Sequence, residues 1–254
     1  YAMGESEKRI GTAIKENGGW PEKFVLSTKI DRNMDTLVLD EKRTRESVEE
    51  SLKALNVDSV DVLFLHDPEY VKDINDVTKK DGALDELFKI KEEGLAKAVG
   101  LAMGRIDIMF PILRKWDFDV IINHNRYTLL NREADEMYNY AHSKNISIFN
   151  AAPYAGGVLA KGPNNFKKIT YQDATEEKLE PVREIEKICK KYNVEMGAAS
   201  LQFSMKDKRI TSTICGVTSV QSIEKNISWA ETDIPQEFWN EVLKLPYSSK
   251  DPES

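Results

Sequence analysis

Two apolar runs in this chain end in side chains that can hold or move a proton. Phe24-Val-Leu-Ser-Thr-Lys29 closes on a lysine, and Val60-Asp-Val-Leu-Phe-Leu65 closes on His66-Asp67-Pro68. The second run is rich in strand formers and reads as a strand buried on both faces, as a parallel sheet requires. Proteins built on such sheets carry their chemistry at the C-terminal ends of the strands. An ammonium and an imidazole on one rim, contributed by neighbouring strands, make the strongest candidate active site in the sequence. His66, Asp67 and Glu69 also gather there, and they keep open an unrelated barrel hydrolase built on a carboxylate pair or a His/Asp metal cluster.

The elements that must position these groups alternate. A helix over residues 1–16 stops at Asn17-Gly-Gly, and the strand Phe24–Ile30 follows. Then come a helix over Arg45–Asn56 with Val48, Leu52 and Leu55 on one face, the strand to His66, and a helix over Asp81–Glu93. Strand Ala96–Leu101 and helix Ile106–Lys115 come next, then strand Asp119–Asn123 and helix Ala134–Ser143. Strand Ile146–Ala151 runs into Pro153-Tyr-Ala-Gly-Gly157. Beyond a loop, Lys161–Tyr171, lie helices Glu176–Tyr192 and Glu195–Met205, strand Thr211–Cys215, and helices Ser219–Trp229 and Pro235–Leu245. The tail after Pro246 is polar and expected to fray. Six strands, each followed by a helix, demand parallel pairing with right-handed crossovers. A doubly wound nucleotide fold would need G-x-G-x-x-G after its first strand, and the sequence lacks it. A barrel needs eight strands. Short loops and no low-complexity linker predict a single domain over residues 1–254.

Bulk properties narrow the function classes. The 254 residues carry a net charge of −7, from 36 basic and 43 acidic residues spread along the chain. No basic block argues for nucleic acid or anionic lipid. No apolar run approaches the roughly 20 residues of a membrane span, and the first residues lack the apolar core of a signal peptide. Two scattered cysteines, Cys189 and Cys215, suit reduced thiols in a cytoplasmic protein.

Taken in order, the motifs resemble the aldo-keto reductases. Tyr1-Ala-Met-Gly4-Glu-Ser6-Glu7-Lys-Arg-Ile-Gly11 resembles that family's Tyr-Gly-x-x-Ser-Glu-x-x-x-Gly segment. Ser27-Thr28-Lys29 resembles its lysine-bearing strand. Arg45-x-Ser47-Val48-Glu-x-Ser51-Leu52-Lys-x-Leu55, followed by Asp61-Val-Leu-Phe-Leu-His66, resembles the helix and strand that deliver its histidine. Gly94-x-x-Lys97-Ala-Val-Gly100-Leu101 matches the next strand. Arg126-Tyr-Thr-Leu-Leu130 and Pro153-x-x-Gly156-Gly157-Val-Leu159 look like the galactose and fucose dehydrogenase branch. Gly216-Val-Thr-Ser219-x-x-Ser222-x-x-x-Asn226 resembles the cofactor segment after the last strand.

The resemblance implies an α/β fold, a (β/α)₈ TIM barrel, opened at the family's second strand so that the first two strands are expected to be missing. It implies an NAD(P)-dependent oxidoreductase that moves a hydride between nicotinamide and an aldose or small aldehyde or alcohol. A tyrosine phenol, with an ordinary pKa near 10, needs a neighbouring ammonium to act at neutral pH. Tyr1 is therefore the expected acid–base group, Lys29 the residue that lowers its pKa, and His66 the group that orients the carbonyl. Asn123, Pro153 and Gly156 would meet the nicotinamide end. Gly216, Thr218, Ser219 and Ser222 would meet phosphate at a helix start, and Asn226 the adenine. Uncharged Gly216 and Ser222 lean toward NAD over NADP, although Lys225 or Lys208 could reach a 2′-phosphate. Ala102-Met103 departs from the Ser-Asn that many relatives place against the carboxamide. On the substrate side, Trp20 could stack on a sugar face and Arg126 could bond its hydroxyls, or serve instead as a structural ion-pair partner. No metal is required, and a monomer or small homo-oligomer is expected. The family's aspartate, in Asp-x-x-x-Tyr, has no counterpart. That departure supports a rival reading, a catalytically impaired nucleotide-binding regulatory or partner subunit.

Overall fold

A computed structural model describes residues 4–253. The chain divides into two compact units, one up to Ile121 and one from Ile122 on.

The first unit runs α1 (Glu5–Glu16), β1 (Ser27–Ile30), α2 (Glu41–Leu55), β2 (Val60–His66), α3 (Ile74–Thr78), α4 (Ala83–Glu92), β3 (Ala96–Met103) and α5 (Ile106–Leu113). β1, β2 and β3 lie side by side in that order, both pairs parallel. Leu63, Phe64 and Leu65 are fully buried, because a strand covered on both faces must be apolar throughout. Val48 and Leu55 of α2 and Leu84, Leu87 and Ile90 of α4 are buried likewise. Phe64 is in register with Gly100, and a Cβ at Gly100 would stand 2.8 Å from the phenyl ring. The glycine makes room for the ring.

β1 starts at Ser27 rather than Phe24. Phe24 and Val25 are apolar in type yet 64% and 65% exposed. α2 begins at Glu41, four residues earlier than its apolar stripe announces, because the Asp40 side chain accepts from the Arg43 amide and caps it. Asn56, with φ 58° and ψ 47°, ends it in the left-handed region.

α1 packs on α2 at a point where only glycine fits. A Cβ on Gly11 would lie 2.1 Å from the Ala54 carbonyl oxygen and 2.9 Å from the Leu55 carbonyl carbon. Alanine has the higher helix propensity by about 1 kcal/mol, but backbone cannot yield as a side-chain tip can. Gly11→Ala is therefore expected to destabilise by about 1–3 kcal/mol, read as a lower urea midpoint. A raised midpoint would mean that propensity outweighs the clash.

The second unit holds most of β4 (Val120–His124), then α6 (Asp135–Ser143), β5 (Ser147–Ala151), α7 (Val158–Lys161), β6 (Lys168–Ile169), β7 (Gln172–Asp173), α8 (Glu176–Tyr192), α9 (Met196–Met205), β8 (Ser212–Ile214), α10 (Val220–Glu231) and α11 (Gln236–Val242). β4, β5 and β8 follow in that order, with β5 and β8 parallel. The buried Asn150 side chain donates to the Tyr127 carbonyl and to Ser204 Oγ, and accepts from the Tyr138 hydroxyl. A polar group is tolerated in that core because its bonds are made. The segment expected as a bare loop contains a two-stranded antiparallel hairpin, β6–β7.

The C-terminal tail is not frayed. The Ser248 amide donates to the Leu130 carbonyl at 2.9 Å, the Arg132 amide to the Ser248 carbonyl at 2.8 Å, and Asn131 Nδ2 to the Lys250 carbonyl at 2.8 Å. The physical reason is Arg126, whose fully buried guanidinium needs counter-charges. It finds Asp251 at 2.6 Å and Glu253 at 2.9 Å.

Candidate active site

The site in the first unit follows from strand register. Lys29 pairs with Phe64 and Ile30 with Leu65. Side chains alternate along a strand, so Lys29, Phe64 and His66 share one face. Ala102 of β3, in register with His66, joins them. Continuing the register by one step sets Asp31 opposite His66. Their side chains meet there, with His66 Nδ1 2.7 Å from Asp31 Oδ1.

Residue 31 is itself tied down by α2. Its amide donates to Ser47 Oγ at 3.0 Å, and Arg43 Nε donates to its carbonyl at 3.0 Å. On the other flank of the imidazole, Nε2 lies 3.4 Å from Asp67 Oδ2. Asp67 takes a left-handed φ of 43°, which turns the chain at the strand end. Glu69 then accepts from the Gly104 amide at 2.9 Å and so ties this turn to the loop after β3. A cavity of about 300 Å³ opens beside Lys29 and Asp31, bounded also by Glu7, Ser27 and Phe64.

The charges of the site are mutually dependent. Burial pushes the Lys29 ammonium below the ordinary lysine pKa, and the carboxylates of Asp67 and Asp31 oppose that. Burial would raise Asp31, but the hydrogen bond and charge of His66, with Arg32, outweigh it and hold the carboxyl below its usual range. Asp67 is raised, by burial first and by the Asp31 charge, against the pull of His66, Arg32 and Lys29. Its Oδ1 is sealed from solvent with no hydrogen-bond partner among the described residues. One carboxylate is thus held ionised and its neighbour is driven toward the neutral form. Such a split of environments belongs to sites that handle protons.

Tyr1 lies outside the described residues, so its position is not part of this geometry. Trp20 stands elsewhere. It precedes β1, its indole N–H donates to the Phe24 carbonyl at 2.8 Å, and its ring meets Phe24 edge-on. Phe24 is five residues before Lys29, roughly 16 Å of extended chain, so Trp20 sits at the N-terminal rim, opposite to His66. The expectation of a stacking platform there is corrected by chain direction alone.

In the second unit, Asn123 is fully buried on β4 and Pro153 is buried after β5. Gly156 and Gly157 have φ of 75° and 119°, and a Cβ at Gly156 would approach the Thr170 amide to 3.0 Å. This turn therefore needs glycine. A Cβ at Gly216 would meet open space. Ser219 and Ser222 form a reciprocal capping box on α10. Ser222 Oγ accepts from the amides of Thr218 and Ser219, both at 3.1 Å. Asn226 accepts from the Tyr154 hydroxyl at 2.7 Å. Arg126, a substrate candidate by sequence, has its N–H groups on Asp251, Glu253 and the His124 carbonyl, a structural commitment rather than an open hand. A cavity of about 510 Å³ lies under the docked tail, lined by Asn125, Thr128, Tyr247 and Lys250 among others.

Among the described residues, no group of three or more His, Cys, Asp and Glu side chains is placed to hold a metal ion. No helix there is long and apolar enough to cross a membrane. Asp31 is the site residue that pattern reading passed over, and it carries a signal only once register is known; Asp67 was noted only as part of a possible hydrolase cluster.

The parallel strands and the helices between them define an α/β scaffold, and comparison with known proteins gives it a family. The model of the Aldo/keto reductase family matches residues 1–245, and the chain belongs to that family. It is 28% identical to D-threo-aldose 1-dehydrogenase from Pseudomonas sp over 270 aligned positions, covering 96% of this chain and 80% of that protein. It is 27% identical to L-galactose dehydrogenase from Arabidopsis thaliana, over 88% of this chain and 69% of that one. The fold matches the holo form of aldo-keto reductase AKR11C1 from Bacillus halodurans with a TM-score of 0.77 at 19% identity, over 98% of this chain and 80% of the other. The fold class is therefore that of the aldo-keto reductase barrels.

Proposed function

We propose that this chain is a nicotinamide-dependent oxidoreductase acting on an aldose, with Tyr1, Lys29 and His66 as its catalytic groups. The observation that carries the reading is the shared face of Lys29 and His66 on adjoining parallel strands, in a chain whose relatives include aldose dehydrogenases.

The second unit fits a dinucleotide by the chemistry of its donors. α10 is a 12-residue helix with no acidic side chain in its first turn, so the positive end of its dipole is open to an anion. The amides of Thr218, Ser219 and Ser222 gather at this helix start, held there by the capping box, whose bonds a bound phosphate would replace, and Asn226 offers an amide further along. Pro153 and the Gly156 turn, with Asn123, form the other end of the cradle. Lys225 is paired with Glu195 at 2.7 Å, which favours NAD over NADP. When bound, the nicotinamide supplies the carbon that gives or takes the hydride.

The residues of the chain supply the proton chemistry. Lys29 stabilises the Tyr1 phenolate by charge, and in the oxidation direction that phenolate takes the proton of the sugar hydroxyl. His66 directs the oxygen that gains or loses it. The charge of Asp31, with that of Asp67, opposes the loss of charge that burial imposes on Lys29.

Titration of NADH and NADPH against tryptophan fluorescence tests the first half of the reading. Saturable quenching is expected, with NADH binding more tightly. No response to either nucleotide overturns it.

A further inference from the structure

We propose that Asp31 is the positioning residue of His66: its carboxylate fixes the orientation of the imidazole and keeps a proton on Nδ1, so that Nε2 is the edge turned to the substrate oxygen. The inference deepens the functional reading above and, for its activity arm, rests on it.

Three independent features support it. The first is the register, which brings residue 31 opposite residue 66 one step past the Ile30–Leu65 pair. The contact is built into the sheet and is not a chance meeting of surface side chains. The second is distance. At 2.7 Å, Nδ1 to Asp31 Oδ1 is a hydrogen bond, whereas Nε2 to Asp67 Oδ2 at 3.4 Å is an ion-pair separation. The ring hangs on Asp31. The third is support behind the carboxylate. Ser47 and Arg43 hold the amide and the carbonyl of residue 31, and Arg43 is itself braced by two bonds to Glu50.

A histidine whose one nitrogen bonds a fixed acceptor has its tautomer chosen by that acceptor. A carboxylate accepts only, so the proton belongs on Nδ1. A glycine or an alanine at position 31 could do none of this. The charge of Asp31 also reaches Lys29, so one residue steadies both partners of the catalytic pair.

The chain has three histidines, so imidazole nitrogens can be resolved by long-range ¹H–¹⁵N correlation, with His66→Gln assigning the signal. In the parent protein at neutral pH, His66 is expected to show a protonated Nδ1. In Asp31→Ala that preference is lost, while thermal melting stays within a few degrees. In Asp31→Asn, which keeps a neutral acceptor, the preference is partly retained. Turnover number should fall about tenfold to a hundredfold in Asp31→Ala, with the nucleotide dissociation constant unchanged. A parent His66 without a proton on Nδ1, or an Asp31→Ala spectrum identical to the parent's, overturns the proposal. If the parent turns over no aldose, the functional reading falls, and the tautomer still decides the role of Asp31. If Asp31→Ala fails to fold, Asp31→Asn carries the same spectroscopic test.

Discussion

Lys29→Met is expected to lower the turnover number by about a thousandfold while leaving nucleotide binding intact. The argument starts from the phenol of Tyr1. At an ordinary pKa near 10, about one molecule in a thousand is ionised at neutral pH. On the proposed reading the Lys29 ammonium changes that, and positioned acid–base groups contribute about 10²–10⁴ in rate. Lys29 is suited to the task because burial strips its solvent shell and pushes its pKa down, while Asp67 and Asp31 oppose the loss of its charge. Methionine keeps the length of the side chain and its packing, so the melting temperature should hardly move. The diagnostic is the pH profile. Without the ammonium, activity should climb with pH until the free phenol ionises near pH 10. A Lys29→Met variant with the parent's profile and rate would remove Lys29 from the mechanism.

The second large effect concerns stability. Replacing Asp251 by Asn and Glu253 by Gln together leaves the guanidinium of Arg126, which has no exposed surface, with only the more distant Glu133 carboxylate, 3.8 Å from Nε, as counter-charge. Breaking a buried pair from one side costs about 3–5 kcal/mol. Because the two carboxylates are themselves 22% exposed, about 3 kcal/mol is the expected loss, as a lower urea midpoint. The tail should loosen first. The amides of Ser248 and Arg132, bonded across the tail contact, should lose most of their hydrogen-exchange protection before the core does. Unchanged protection at both amides would show that apolar contacts of Pro246 and Tyr247, rather than Arg126, hold the tail.

Chemistry at strand ends was legible in the sequence because a buried parallel strand announces itself as an unbroken apolar run. Lys29 and His66 each terminate one. Asp31 was not legible. It lies beyond its strand, and its meaning comes from the register between two strands separated by α2, which composition does not encode. Arg126 was ambiguous for a similar reason, since its partners lie 125 and 127 residues further on. Trp20 was misplaced although the sequence held the correction: a residue preceding a parallel strand sits at the rim away from the chemistry. Phe24 and Val25 show the converse error, apolar residues taken into a strand that starts after them. The fold, by contrast, was carried by the alternation of strands and helices and by motif order, which survive such local misreadings.

The central claim is that this chain passes a hydride between the anomeric carbon of an aldose and nicotinamide at the Lys29–His66 face. The direct measurement is isotope transfer. Aldoses deuterated at C1, L-galactose among them, are incubated with the protein and NAD, and the reduced nucleotide is analysed by mass spectrometry. The account predicts one deuterium in the reduced nicotinamide, formed at a rate that collapses in Lys29→Met. Reduced nucleotide without deuterium, or none at all across the sugars while NADH still binds, would contradict it.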